Sequence, residues 1–261
     1  MTNSGPDGSL SASPLPEVRE RWAPVWVLVF VALWPAPGLA AGVLALGALV
    51  TLARLLHSRF RGGARLLLSG GTTPAPVYQA LAELPLDWSK LDVGLVDERW
   101  LSPQDSDSNA YLIRHSLLDR TEDARFEPLV RVGKPLQDCV HAANLHAQHA
   151  PAACMAVLGM GGDGHTASLF PGATDLNKAL TNPLPYAALD ATGCPGANTW
   201  PLRITLTPAG LAPIGQRMLL LRGKQKLEVL ERALAGTDPH EYPIRVAFDT
   251  PGARLRVHWC E

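Results

Sequence analysis

Apolar and polar positions fall into a repeating block along most of this chain. A short, nearly unbroken apolar run is followed by a turn rich in Gly, Ser, Thr or Asp, and then by a longer stretch with helical spacing. The run at 152–158, Ala-Ala-Cys-Met-Ala-Val-Leu, has no charged or strongly polar position, as a strand buried on both faces requires. Runs at 65–68, 91–96, 218–221 and 254–259 are read as further strands. Residues 202–207, Leu-Arg-Ile-Thr-Leu-Thr, alternate instead, which places Arg203 and Thr205 on one face of a strand. Helices are expected from Pro74, a residue suited to a first helical turn, and over 110–118, 135–149 and 227–234. Residues 173–199 carry Pro183, Pro185 and Pro195 with weak periodicity and read as loop. No internal repeat is visible. Strands alternating with helices predict an α/β fold, a mostly parallel sheet with helices on both faces.

The N-terminal part departs from this pattern. Residues 1–21 are rich in Ser, Pro and Gly and read as a disordered tail. No charge occurs between Arg21 and Arg54. Val25 to Val31 is β-branched and aromatic, hence strand-like. Pro35, Pro37 and Gly38 break the chain, and 39–59 resumes as a very apolar helix. Arg54, His57 and Arg59 stand near its end, where cations suit the helix dipole. Strand plus buried helix is the preferred reading of 22–59. A membrane anchor or a secretory leader through 22–53 is the alternative, but the prolines leave two pieces each short of the roughly 20 residues that a span needs.

Charge and cysteine usage narrow the class. The 261 residues carry a formal net charge of −1, with only 18 % charged positions and no basic cluster with interleaved aromatics. Nucleic acid is therefore not an expected partner. Cys139, Cys154, Cys194 and Cys260 form no Cys-x-x-Cys pair, so thiols of a reducing compartment are expected and a zinc site is not. A cytoplasmic location follows from that reading. The helix at 135–149 holds His141, His146 and His149, but their spacing lacks the four-residue step of a helical zinc pair, and they are read as surface histidines.

Candidate chemistry concentrates at three strand ends. The stretch 158–172 reads LGMGGDGHTASLFPG, with Gly159, Gly161, Gly162 and Gly164 close together. Such density suits a sharp turn that lets a ligand approach the backbone. Gly-x-Gly-x-x-Gly is formally present, but the long helix a dinucleotide fold needs cannot fit before Pro171. Asp163 and His165 project from this turn. Ser69-Gly70-Gly71-Thr72-Thr73 lies between a strand and a helix start, where free amides and hydroxyls can cradle a phosphate. It lacks the Gly-Lys-Ser/Thr ending of a Walker loop. Asp97-Glu98-Arg99 puts three charges at a strand end, which is costly unless they are solvated or engaged, and Ser108-Asn109 opens the helix that follows. Lys226 stands at a helix start, against the dipole, so an anion is its simplest reason.

Four separated segments together resemble the 6-phosphogluconolactonases: SGGTTP at 69–74, VDERWLSPQDSDSN at 96–109, GMGGDGHTASLFPG at 159–172, and RITLT with GKQK at 203–207 and 223–226. The wider superfamily includes the glucosamine-6-phosphate deaminases, whose glycine loop runs on to an Asn-Glu-Pro-Gly type ending. Here Ser168-Leu169-Phe170-Pro171-Gly172 occupies that place, as in lactonases. The resemblance implies a modified Rossmann-like domain over 22–261 and hydrolysis of 6-phospho-D-glucono-1,5-lactone to 6-phosphogluconate in the oxidative pentose phosphate route. It implies His165 and Asp163 as the catalytic pair. Gly70, Gly71, Thr72, Thr73, Asp97, Arg99, Asn109, Arg203 and Lys226 would bind the substrate. Amides at 161–164 or a cation would stabilise the oxyanion, and neither a metal nor an organic cofactor is implied. A deaminase or isomerase of amino-sugar phosphates using Asp97 as base, and a non-catalytic sugar-phosphate sensor, are the alternatives.

Overall fold

A computed structural model of the chain describes residues 25–26, 46–56, 63–121, 123–197, 199–252 and 254–261. The tail 1–21, most of the strand expected at 25–31 and both ends of the helix expected at 39–59 lie outside them. Within them stand β1 (Val25–Trp26) and α1 (46–56). Ala48, Leu52 and Leu56 recur every four residues and are fully buried, whereas Leu46 and Val50 are exposed. The helix therefore has a core face in spite of its mostly apolar sequence. Among the described residues no helix is long and apolar enough to cross a membrane.

The rest of the chain follows in the order β2 (Ala64–Leu68), α2 (Ala75–Ala82), β3 (Leu91–Leu95), β4 (Asp97–Arg99), α3 (Asn109–Ser116), β5 (Arg125–Phe126), α4 (Leu136–His149), β6 (Met155–Leu158), α5 (Leu176–Leu180), β7 (Tyr186–Asp190), β8 (Leu202–Leu206), α6 (Pro208–Leu211), β9 (Gln216–Arg222), α7 (Lys224–Ala235), α8 (Val246–Asp249) and β10 (Arg254–Cys260). The main sheet is parallel in every pairing, in the order β1-β10-β9-β6-β2-β3-β5. Its central strands are apolar because both faces are covered. Leu66, Leu68, Leu91, Leu95, Val157 and Leu219 are fully buried, each worth about 1.5–3 kcal/mol relative to exposure. Arg65 in β2 and Arg217 in β9 are the buried exceptions, 6 % and 1 % exposed. Among the described residues Arg217 has no carboxylate partner, and it donates to the carbonyls of Leu211 and Ala247. Burial lowers its pKa to about 10.

Strand order places the site. From β2 the chain moves outward through β3 to β5, then returns to lay β6 on the other side of β2 and continues outward through β9 and β10. The direction of winding reverses between β2 and β6, and open α/β sheets bind ligands at the carboxyl ends of strands beside such a reversal. The loops leaving those ends are 69–74 after β2 and 159–165 after β6. The N-terminus of α7, with Lys226, follows β9.

The strand expected at 202–207 is present as β8, outside the parallel sheet: it pairs antiparallel with β4 and β7 in a separate three-stranded sheet. Residues 173–199 are not all loop, since they contain α5 and β7. Two small alanines and flanking prolines hide β7 from a periodicity reading. Tertiary pairing makes the strand: β8 lies on one side, and on the other the Asn144 side chain bonds both the N–H and the C=O of Tyr186. No disulfide links the four cysteines. Cys154 lies just before β6 and is half-buried, not enclosed in the strand. His141 and His149 are exposed, but His146 is half-buried. Among the described residues no group of His, Cys, Asp or Glu could hold a metal ion.

Candidate active site

A cleft of about 270 Å³ opens at the winding reversal. Gly70, Gly71, Thr72, Thr73, Asp97, Arg99, Asn109, His165, Arg203 and Lys226 all line it. Asp163 does not line it but binds His165 from behind. Every residue expected from the sequence thus comes to one place, although those residues derive from five separate segments.

The loop after β2 is open to a ligand. Gly71 has φ +100°, a conformation that glycine adopts without strain. Gly70 packs so tightly on the Asn109 amide that an added Cβ would lie 1.9 Å from its Oδ1. Pro74 precedes α2 and supplies no side-chain cap. The amides of residues 70–73 and both threonine hydroxyls make no hydrogen bond among the described residues. Free donors at a helix N-terminus form an anion cradle. Ser69 and Asn109 also line the cleft, and among the described residues Ser69 Oγ and Asn109 Oδ1 are buried without a hydrogen-bond partner.

In the loop after β6, Asp163 Oδ1 accepts from the backbone N–H of His165 at 3.1 Å and faces Nδ1 of its ring at 2.6 Å. Burial alone would raise the Asp163 pKa, but the hydrogen bond from the His165 ring, its charge and its amide outweigh this and hold it below the ordinary value. With Nδ1–H directed at Asp163, Nε2 is left as the acceptor nitrogen. The Phe170 ring leans on the imidazole with centroids 4.4 Å apart. Gly164 takes φ +83° against the Tyr242 ring, where a Cβ would meet Cδ1 at 2.8 Å. The amides of Gly161 and Gly164 are consumed inside the turn, bonding to His165 O and Gly161 O. Of the amides expected at 161–164 to face an oxyanion, that of Gly162 makes no hydrogen bond among the described residues.

The charged strand end is built differently from its sequence expectation. Glu98 is 1 % exposed and turns away from the cleft. Its carboxylate accepts from the amides of Arg99, Asn109 and Ala110 and from Ser108 Oγ, between 2.7 and 2.9 Å, and so caps α3. Burial pushes its pKa up against those four bonds. Asp97 Oδ2 accepts from Ser168 Oγ at 2.6 Å and Oδ1 from Asn109 Nδ2 at 3.3 Å. Sequence reasoning gave Glu98 and Ser168 no structural part. Only the helix opening at Ser108-Asn109 hinted that a carboxylate was needed there.

The cations differ in freedom. Arg203 is 4 % exposed. It donates through Nε to Trp200 O, through Nη2 to Ala197 O and through Nη1 to Ser168 Oγ, and it lies over the Phe170 ring. Arg99 is half-buried and donates to Asp107 O. Lys226 is half-buried in the first turn of α7, and among the described residues it has neither a hydrogen bond nor an ion pair. Burial lowers its pKa, opposed by the charge of Asp163.

A family profile described as glucosamine-6-phosphate isomerases/6-phosphogluconolactonase matches residues 42–259. The chain is 69 % identical over 200 residues to a 6-phosphogluconolactonase of Xylella fastidiosa, a match covering 77 % of this chain and 84 % of that protein. It is 37 % identical over 201 residues to a 6-phosphogluconolactonase of Pseudomonas aeruginosa, covering 76 % and 82 %. The crystal structure of a 6-phosphogluconolactonase from Shewanella baltica superposes with TM-score 0.76 at 32 % identity, over 89 % of this chain and 97 % of that one. A monomeric glucosamine-6-phosphate deaminase shares the fold, with TM-score 0.68 at 18 % identity, over 88 % and 96 % of the two chains.

Proposed function

The chain belongs to the glucosamine-6-phosphate isomerase/6-phosphogluconolactonase family, and from that premise we propose that it hydrolyses 6-phospho-D-glucono-1,5-lactone to 6-phosphogluconate with His165 as the proton carrier. One observation carries the reading: an imidazole oriented by a carboxylate opens into the same cleft as an amide cradle and a lysine that has no partner among the described residues. The substrate has matching ends, an ester at one and a phosphate dianion at the other.

In this reading the phosphate lies on residues 70–73, with Lys226 and Arg99 supplying charge. Remote binding orients the lactone carbonyl toward His165. Asp163 holds Nδ1–H, so Nε2 takes a proton from water as the water oxygen attacks the carbonyl carbon. The tetrahedral intermediate collapses by breaking the ring C–O bond. The imidazolium returns its proton to the leaving ring oxygen, and the product leaves as a carboxylate and a released proton. Asp97, fixed by Ser168 and Asn109, faces the sugar hydroxyls. Arg203 adds positive charge, but most of its hydrogen bonds serve the neighbouring loop. The residues need no metal for this chemistry, and a cytoplasmic sugar-phosphate lactone is the partner assigned.

The test is a lactonase assay on freshly generated lactone, corrected for spontaneous opening, run beside glucosamine 6-phosphate. Lactone opening without ammonia release is expected. Ammonia release without lactone opening would overturn the assignment.

A further inference from the structure

We infer that the turn Pro195–Ala197 is a built-in seat for the Asp163–His165 pair, with Gly196 its contact point and Arg203 its fastening. The inference rests on the catalytic reading of His165 given above. Gly196 lies in a short 3-10 turn, Pro195–Ala197, outside the left-handed backbone region. Its backbone conformation therefore does not call for glycine. Its surroundings do: a Cβ at this position would lie 2.5 Å from Asp163 Oδ2 and 3.0 Å from His165 Nδ1. Gly161 stands against the same pair, with a built Cβ 2.2 Å from Nδ1 and 2.5 Å from Asp163 Oδ1. Two glycines from distant parts of the chain thus close on one carboxylate–imidazole bond, and no side chain fits between.

The segment carrying Gly196 is tied down from the far side. Arg203 Nη2 bonds Ala197 O at 2.7 Å and Nε bonds Trp200 O at 2.6 Å. The Trp200 indole N–H reaches Asp107 Oδ2 at 2.9 Å, and Arg99 bonds the carbonyl of that same Asp107. A guanidinium can hold two carbonyls in a fixed fork, which an ammonium cannot do. Seat, fastening and catalytic pair therefore form one packed unit. Gly196 and Arg203 are positioning residues, acting through Asp163 on the ring of His165.

Gly196→Ala tests this. The added methyl meets the end of a flexible side chain, so the cheap response is for the Asp163 carboxylate to swing away from Nδ1. The expected result is a kcat lowered about tenfold or more with KM within about twofold, and a melting temperature close to that of the parent. Imidazole ¹⁵N spectra at alkaline pH should show His165 gaining the Nε2–H tautomer. Gly215→Ala, at a glycine with open space around it, should change neither. Unchanged kcat and unchanged tautomer in Gly196→Ala would overturn the proposal, as would a fall in kcat with the tautomer intact. A shifted tautomer with normal kcat would uphold the seat and remove His165 from the base role instead. If Gly196→Ala does not fold, Arg203→Lys decides by the same two readouts: a shift of both upholds the seat, and parent-like values overturn it.

Discussion

Arg99 and Arg203 stand directly opposite each other across the β4–β8 pairing, two guanidinium side chains at one cross-strand position. Like charges so placed repel. Burial lowers the pKa of Arg203, and Arg99 lowers it further against the pull of Asp97 and Glu98. The two arginines solve the conflict differently: Arg203 folds inward onto loop carbonyls, while Arg99 stays at the cleft wall. An anion bound in the cleft that Arg99, Arg203 and Lys226 line would relieve that repulsion.

Arg99→Ala is accordingly expected to act on binding. A charged hydrogen bond to phosphate is worth about 1.5–3 kcal/mol, or roughly tenfold to a hundredfold. KM for the lactone should rise by about that factor, with kcat within about threefold. Steady-state kinetics across the KM range check it, and an unchanged KM would take Arg99 out of phosphate binding.

Lys226 gives a two-sided prediction. Its charge is penalised in the folded protein, since burial lowers its pKa and it has no bonding partner among the described residues. The penalty is present below the lowered pKa and fades as pH rises from there toward the ordinary lysine value. Lys226→Met should raise the melting temperature of the unliganded protein at neutral pH and raise KM about tenfold or more. In the parent protein, phosphate-dependent binding should weaken at a pH below the usual lysine range, because Lys226 loses its proton early. Calorimetric melts and a KM–pH series check both sides. A variant that is less stable and binds normally would oppose both.

His165→Ala should lower kcat by roughly a hundredfold to ten-thousandfold, the usual worth of a positioned acid–base group, with KM little changed. Asp163→Asn should keep the fold and lower kcat by a smaller factor, since an amide can present its N–H to Nδ1 and select the wrong tautomer. Near-parent turnover in a folded His165→Ala would end the mechanism.

Glu98→Ala should be the most destabilising substitution near the cleft. It strips acceptors from three amides and a hydroxyl inside the protein. At about 1–3 kcal/mol for each buried group left unpaired, the loss would be several kcal/mol. Urea denaturation measures it. Glu98→Gln should recover part of the loss, because a side-chain oxygen survives to accept.

These residues also show what could be read from the sequence. Asp163, His165 and the loop at 69–73 were legible because a sharp turn, a close ligand approach and a titratable group together allow few residue types. Their convergence followed from strand ends in a parallel sheet. Glu98 was not legible, because a carboxylate looks the same whether it meets a ligand or a helix start eleven residues on. β7 was hidden for a similar reason: its outer edge is satisfied by Asn144, 42 residues away. Gly196 read as one more loop glycine, since nothing in its neighbours tells of the carboxylate it touches.

His258 makes the last prediction, in a part of the fold away from the cleft. It lies in β10 and is 3 % exposed. Its Nε2 is buried without a hydrogen-bond partner among the described residues. Burial and the nearby Arg256 charge lower its pKa to about 4, from an ordinary value of 6.5. Between those values the unfolded chain takes up a proton that the folded chain refuses. Stability should therefore fall as pH drops from about 6.5 toward 4, with a slope of at most about 1.4 kcal/mol per pH unit from this one group. Below about 4 both states hold the proton and the loss stays constant. Glu98, pushed upward by burial, acts with the opposite sign just above its ordinary value. Asp163, held low, acts only at more acid pH. The difference between parent and His258→Leu isolates the histidine: urea midpoints at pH 5 and 7 should converge in the variant. Parallel losses in both proteins over that interval would mean that His258 is protonated in the folded state.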